Sequence, residues 1–151
     1  SSGVRPRAFN REGARCRPAA EPGEVGDRRV GASMIIGVGV DLVDLERFEK
    51  AISGTPALFE RLFAESEREA STRTLAGRFA AKEALVKAVG DPRGLRWHEV
   101  EIVKDALGKP SIVTSGTTAD FIKGAGIQSL HLSISHDGGK AIAMVVAEGG
   151  A

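Results

Sequence analysis

Hydrophobic residues along this chain follow two different periods, and the change from one to the other predicts where helices and strands lie. Residues 34–40 are β-branched and almost entirely apolar, which predicts a buried strand. Residues 45–52 and 72–89 carry apolar side chains at helical spacing, and the second stretch is rich in alanine and straight-chain residues. The other predicted elements are short helices at 58–63 and 64–70, strands at 100–103 and 110–113, a helix at 117–124, and strands at 130–135 and 140–147.

The order of these elements predicts the fold class. Helices dominate the first half and hairpin-forming strands the second, which is typical of an α+β domain. Residues 34–151 are expected to form this single domain. Residues 1–33 are rich in Gly, Pro, Arg and Ala without any period, so we expect a disordered N-terminal extension or an expression-derived segment, with Met34 as the natural start.

Composition and charge exclude several classes of protein. The formal net charge of the 151 residues is +1, so nothing global points to nucleic acid or to a membrane surface as a partner. No apolar run approaches the roughly 20 residues that span a bilayer. Cys16 is the only cysteine, which excludes an intrachain disulfide and a cysteine-based metal cluster and favours a reducing cytoplasm.

Candidate chemistry begins in the long predicted helix. Glu83 and Lys87 are four residues apart and therefore project from the same face. One interpretation is an exposed ion pair of little energetic consequence. The other interpretation is a metal–phosphate site. Asp41, which follows the first apolar strand, makes this interpretation stronger, because two carboxylates are the ligands that Mg²⁺ takes alongside phosphate and water. Asp41 by itself also fits an ordinary turn residue.

Two further motifs have competing interpretations. His136, after the strand at 130–135, is suited to contact a phosphate or a base, or is a turn histidine with its hydrogen bonds satisfied. Gly37 and Gly39 suggest a dinucleotide fingerprint, but Leu42 occupies the third glycine position. Those glycines indicate instead that another backbone or a ligand approaches the strand closely. Gly77 in the long helix indicates close backbone packing rather than chemistry.

Three motifs occur in a fixed order: Gly-x-Gly-x-Asp at residues 37–41, Phe-Ala-Ala-Lys-Glu-Ala-x-x-Lys at 79–87, and Ser-x-Ser-His-Asp at 133–137. Together they resemble the holo-[acyl-carrier-protein] synthases, the small single-domain 4′-phosphopantetheinyl transferases. The similarity extends over about residues 34–148 and includes Gly-Lys-Pro at 108–110. The resemblance implies a single domain in which a long central helix packs on a small, mainly antiparallel sheet.

The resemblance also implies roles for individual residues. Asp41 and Glu83 are expected to bind Mg²⁺ together with the pyrophosphate of coenzyme A, and Lys87 is expected beside that pyrophosphate. Glu83, or a water beside it, is the expected base, and Lys87 would stabilise or protonate the departing phosphate. Residues expected around the adenosine end of coenzyme A are Ser135 and His136 near the 3′-phosphate, and Gly108, Lys109 and Pro110 from a neighbouring subunit.

The implied partners are an acyl carrier protein and two further copies of the chain, in a homotrimer with active sites at subunit interfaces. Arg47 is expected to face the acidic carrier protein, with Arg73 and Arg78 as further candidates. The chain departs from the family pattern where Leu107 replaces the usual Asn before Gly-Lys-Pro and where Glu46 replaces a basic residue.

The expected activity is transfer of the 4′-phosphopantetheine group from coenzyme A to a serine of apo acyl carrier protein in fatty acid synthesis, with release of adenosine 3′,5′-bisphosphate. Two interpretations from other classes remain open at this point. One is a coenzyme A- or nucleotide-binding module without catalysis. The other is a structural trimer whose polar strand ends are turns.

Overall fold

The computed structural model describes residues 32–150, so nearly all of the predicted extension at residues 1–33 lies outside the described residues. The α+β class and the antiparallel arrangement are confirmed. Short 3-10 turns lie at Glu65–Glu67, Pro92–Gly94 and Trp97–Glu99. The longer elements are β1 (Ser33–Asp44), α1 (Leu45–Gly54), α2 (Pro56–Leu62), α3 (Thr72–Val89), β2 (Val100–Lys104), β3 (Pro110–Thr114), α4 (Gly116–Gly124), β4 (Ser129–Asp137) and β5 (Lys140–Gly150).

Two antiparallel sheets form the β part of the domain. The larger has the strand order β1-β5-β4, and the smaller pairs β2 with β3. β1 is longer than predicted, because its pairing with β5 continues to Asp44, which lies opposite Lys140. Asp41 therefore lies inside the strand, opposite Ala143, and not at its end.

The long helix α3 packs directly on β1, and the two strand glycines make this possible. A Cβ atom on Gly37 would collide with the carbonyl oxygen of Ala88, and one on Gly39 with that of Ala84. The expectation that another backbone approaches these glycines is thus confirmed. α3 begins where the Ser71 hydroxyl accepts a hydrogen bond from the Thr74 amide, and it ends at a left-handed glycine outside the helix.

The prediction that β1 is buried is wrong for most of its side chains. Only the face with the glycines meets α3, and the alternate residues point away from it. On the far side of the sheet these residues and their neighbours in β5 form a continuous apolar surface, which we call the open sheet face. Its members are Val38 (54% exposed), Val40 (50%), Leu42 (62%), Ile142 (42%) and Met144 (47%). An apolar run predicts burial of a strand, but it does not say whether the cover comes from the same chain.

The short helix predicted at residues 64–70 is also wrong, since only a 3-10 turn forms there. The cause is Glu67, whose side chain turns into the core. It accepts a hydrogen bond from the Lys82 ammonium at 2.6 Å, and neither residue is more than 1% exposed. The same carboxylate accepts the backbone N–H of Ala64 at 3.0 Å and of Ile102 at 3.3 Å, so one ion pair joins the 3-10 turn, α3 and β2.

We expect Lys82→Met to lower the free energy of unfolding by about 3–5 kcal/mol, because it leaves the Glu67 carboxylate charged, buried and without its partner. Urea denaturation measures the change. Lys50→Met is the matched control, since Lys50 makes only an exposed ion pair with Glu46 at 3.5 Å. Equal losses in the two variants would contradict a structural role for the buried pair.

Candidate active site

Three of the predicted catalytic residues lie together where α3 crosses β1. Asp41 shares the strand face of Gly37 and Gly39, so it points towards the helix that carries Glu83 and Lys87. Lys87 does not pair with Glu83 on its own helix. Its ammonium donates to the Asp41 carboxylate at 3.1 Å and to the Val40 carbonyl oxygen at 2.9 Å. The structure thus brings a lysine to Asp41, which the spacing in the sequence did not indicate.

The electrostatics of Glu83 reflect its position beside a second carboxylate. Burial raises the pKa of Glu83, the negative charge of Asp41 raises it further, and Lys87 partly opposes both. Asp41 and Glu83 together carry two negative charges and have only the one positive charge of Lys87 nearby, so a cation can balance the remaining charge. Among residues 32–150, no group of three or more His, Cys, Asp and Glu side chains is arranged to hold a metal. A pair of carboxylates suits Mg²⁺, which fills its other positions with phosphate oxygen and water.

An open cleft of about 310 Å³ begins at this pair of carboxylates. Arg47, which is expected to face the carrier protein, lines it together with Asp41 and Glu83. The rest of the wall is largely apolar, and it includes Phe48, Leu58, Leu62 and Phe79. The rings of Phe48 and Phe79 stack at 5.5 Å, which fixes α1 against α3 beside the cleft.

His136 lies in a second, smaller pocket of about 110 Å³. Its Nε2 lies 2.9 Å from the Arg73 carbonyl oxygen, and because a carbonyl only accepts, this nitrogen carries the hydrogen and donates it. Gly77 allows the ring to lie against α3, since a Cβ there would be 3.0 Å from both Cε1 and Nε2. Close packing at Gly77 is confirmed. His136 has a satisfied hydrogen bond and also lines a pocket, so its two interpretations are compatible.

The second pocket is cationic, because Arg78 and Lys104 line it with His136. The Arg78 side chain donates from Nη1 to the Glu67 carbonyl oxygen at 3.2 Å. Its Nε is the one buried side-chain nitrogen or oxygen in residues 32–150 that lacks a hydrogen-bond partner. Arg78 is expected from the sequence to face the carrier protein; the structure places it in the pocket of His136, and the docking role stays a prediction. Sequence reasoning missed Lys104, although its pairing with Pro110 in the β2–β3 hairpin indicates its position.

Gly108 and Pro110 line this same pocket, on the same chain as His136. The other predicted nucleotide residues do not. Ser135 precedes His136 in β4 and so points to the opposite face of the sheet, where it is exposed. Lys109 is exposed, and its backbone N–H donates to Asp105 at 2.9 Å. Arg73 does not line the pocket: its backbone carbonyl accepts the hydrogen bond of His136, and the residue borders a separate surface depression.

The cleft of Asp41 and the pocket of His136 have no lining residue in common. In a single chain the carboxylate pair and His136 therefore lie in different pockets. Among residues 32–150, none of the helices is long and apolar enough to cross a membrane.

Comparison with known proteins shows the family of the chain. The model of the 4′-phosphopantetheinyl transferase superfamily matches residues 37–145. The holo-[acyl-carrier-protein] synthase of Clavibacter sepedonicus is 52% identical over 116 residues, which is 77% of this chain and 98% of that protein. The protein of the same name from Salinispora arenicola is 52% identical over 121 residues, which is 76% of this chain and 99% of that protein.

Solved structures give the same result. The chain is similar to the holo-[acyl-carrier-protein] synthase of Neisseria meningitidis, with a TM-score of 0.69 and 34% identity. The match covers 76% of this chain and 98% of that one. It is also similar to that of Bacillus anthracis in complex with coenzyme A (3′,5′-ADP), with a TM-score of 0.64, 36% identity and coverage of 77% and 98%. The chain belongs to the 4′-phosphopantetheinyl transferase superfamily. The family and the class of enzyme indicated by the three motifs, a holo-[acyl-carrier-protein] synthase, are confirmed.

Proposed function

We propose that this protein transfers the 4′-phosphopantetheine group from coenzyme A to a serine of an apo acyl carrier protein and releases adenosine 3′,5′-bisphosphate. The observation that carries the proposal is the pair of carboxylates, Asp41 and Glu83, at one end of an open cleft. Lys87 of α3 lies beside them and donates hydrogen bonds to β1. Membership of the superfamily and the coenzyme A complex of the Bacillus anthracis relative support it.

The decisive experiment mixes the protein with coenzyme A, Mg²⁺ and an apo carrier protein and follows the intact mass of the carrier. The expected result is an increase by one phosphopantetheine group. A non-catalytic binding module would bind coenzyme A, as isothermal titration shows, and leave the carrier mass unchanged.

Asp41 and Glu83 are the residues that would hold Mg²⁺, because their carboxylates are neighbours and are carried by two regular elements, β1 and α3. Bound there, the ion would neutralise the pyrophosphate and polarise the phosphorus under attack. Glu83, or a water beside it, is also the candidate base for the carrier serine. Lys87 is held by two oxygen atoms, so its charge is positioned to stabilise the departing phosphate.

The pocket of His136 is proposed to hold the adenosine 3′-phosphate. Arg78 has an unused buried N–H, and Lys104 adds a second positive charge, so an anion is the matching ligand. Gly108 and Pro110 leave room for the base beside them. Lys109 is proposed for the rim of this pocket, where its exposure leaves it accessible, and Ser135 for a contact with the nucleotide from the other face of β4.

Because the pocket and the cleft share no residue in one chain, we propose that coenzyme A spans two copies of the protein. The open sheet face supplies an apolar surface for such an assembly. The resemblance to holo-[acyl-carrier-protein] synthases favours a homotrimer, in which each subunit gives its carboxylate pair to one site and its His136 pocket to the next. A cytoplasmic location and a role in fatty acid synthesis complete the proposal.

Arg47→Ala is expected to raise the KM for the carrier protein several-fold and to leave the KM for coenzyme A nearly unchanged. Arg47 lines the cleft beside the carboxylate pair, where an acidic carrier would present its serine. The rise is expected to shrink with added salt, since exposed charges are screened over roughly 8–10 Å at physiological ionic strength. Steady-state kinetics at low and high salt measure both effects.

Arg61→Ala is the matched control, because Arg61 is an exposed arginine at the end of α2 that does not line the cleft. It is expected to leave both KM values unchanged. An equal rise for carrier and coenzyme A in Arg47→Ala would reject the docking role.

A further inference from the structure

The tip of the β4–β5 hairpin lies against the start of α1. Gly138 and Gly139 both have positive φ angles, 56° and 73°, as a two-residue hairpin loop requires. The loop places Lys140 opposite Asp44 in the β1–β5 register. The Lys140 ammonium donates to the Asp44 carboxylate, and the Leu45 N–H donates to the Gly139 carbonyl oxygen at 2.9 Å. One side-chain bond and one backbone bond thus join the hairpin to the first turn of the helix.

Asp44 connects this contact to the residue proposed for docking. It is the N-cap of α1, and its Oδ1 accepts the backbone N–H of Arg47 at 2.9 Å. Its other oxygen, Oδ2, accepts Lys140. The hydrogen bond from Lys140 and that from the Arg47 amide hold the pKa of Asp44 at about 2, well below its usual range, so the group stays charged.

Apolar packing holds the rest of α1 to the domain. Phe48 is its only fully buried residue, and Leu45 and Ile52 are partly buried against the core. The orientation of the first turn depends also on the contact with the hairpin. Loss of the Lys140 bond would leave the backbone bond from Leu45 to Gly139 in place, but it would release one oxygen of the Asp44 carboxylate and shift Arg47 relative to Asp41, without removing any part of the core.

We propose that Lys140 is a positioning residue for carrier-protein docking: through Asp44 it orients the first turn of α1 so that Arg47 faces the carboxylate pair. Lys140 acts through Asp44 and does not touch the reacting groups. This inference rests on the proposed function, because it assigns a role in docking the carrier of that reaction.

A double-mutant cycle tests the proposal, with kinetics for both substrates and a thermal melt for every variant. The variants are Lys140→Met, Asp44→Asn and their combination. Asp44→Asn keeps an oxygen for the Arg47 amide and loses only the charge that holds Lys140. Each single variant is expected to lower kcat/KM for the carrier by about tenfold, since small misplacements of docking groups have effects of this order or larger. The KM for coenzyme A is expected to stay unchanged.

Coupling between the two sites is the critical result. The double variant is expected to be no worse than either single variant, and Lys140→Arg is expected to restore activity because arginine can also donate to Asp44. Lys50→Met is the control for a general loss of positive charge, because it removes an exposed lysine from α1. It is expected to behave like the parent.

Three results would overturn the inference. Additive losses would mean that Lys140 attracts the carrier by its own charge. A lowered Tm with unchanged kinetics would mean that the ion pair only stabilises the fold. Equal losses in Lys50→Met and Lys140→Met would mean that any nearby positive charge serves. If the parent protein itself transfers nothing to the carrier, the proposed function fails, and that result is distinct from these three.

Discussion

Glu83→Ala and Asp41→Ala are each expected to lower kcat/KM for phosphopantetheine transfer by about a thousandfold or more while the fold survives. The expected size follows from the several kcal/mol that a direct metal ligand contributes to stabilising charge in phosphoryl transfer. The two residues are proposed to hold one ion from separate elements, so the double variant is expected to be little worse than either single variant. Steady-state kinetics at saturating Mg²⁺ measure the loss, and circular dichroism confirms that the fold remains.

Glu69→Gln is the control for removing a negative charge, because Glu69 is exposed and lines neither pocket. It is expected to keep parental kinetics. Near-parental kcat/KM in either alanine variant would show that the metal assignment is wrong.

The raised pKa of Glu83 gives the same experiment a pH readout. The carboxylate must be deprotonated to bind the metal, so the acid limb of the activity profile is expected at a higher pH than for an ordinary glutamate. Mg²⁺ and the proton compete for this group, and raising the Mg²⁺ concentration is therefore expected to move the acid limb to lower pH. A limb that does not respond to Mg²⁺ would belong to another group.

Val40→Arg is expected to dissociate the assembly and to abolish transfer. Val40 lies in the middle of the open sheet face, between Val38 and Leu42, and a charge there would be buried without a partner when copies associate. Activity should be lost together with assembly, because the proposal places one coenzyme A across the cleft of one chain and the His136 pocket of another. Light scattering gives the oligomeric state, and the carrier mass assay gives the activity.

Val113→Arg is the matched control, since Val113 is an exposed valine on β3, outside the larger sheet, at 48% exposure. It is expected to leave the oligomer and the activity unchanged. A monomeric Val40→Arg protein with full activity would contradict the proposal that coenzyme A spans two subunits.

Much of the local structure could be predicted from the sequence. The bounds of α3 were predicted at residues 72–89, and α3 spans Thr72–Val89, because its cap and its stop are local signals. The close approach at Gly37 and Gly39 was also predictable, since glycine in a strand leaves room that only a neighbour can use. The prediction of a helix in the short charged segment before α3 was wrong, because the helical pattern there gave no sign that Glu67 pairs with Lys82 in the core.

The candidate site was predicted in part. Spacing placed Glu83 and Lys87 on one helix face, but the partner of Lys87 is Asp41, a residue 46 positions away along the chain. Arg78 was assigned to the carrier protein because its charge is all that the sequence shows. Its place beside His136 depends on how β4 lies against α3, which no local pattern encodes.

Most of the helices and strands, the two candidate carboxylates and the family could be predicted from the sequence, because caps, glycines and motif spacing are properties of neighbouring residues. The uncovered apolar face of β1 and the placement of Asp41 and His136 in different pockets depend on the three-dimensional packing. The physical reason is that hydrophobicity reports a need for burial and charge reports a need for a partner. Which surface or residue meets each need depends on contacts between distant parts of the chain.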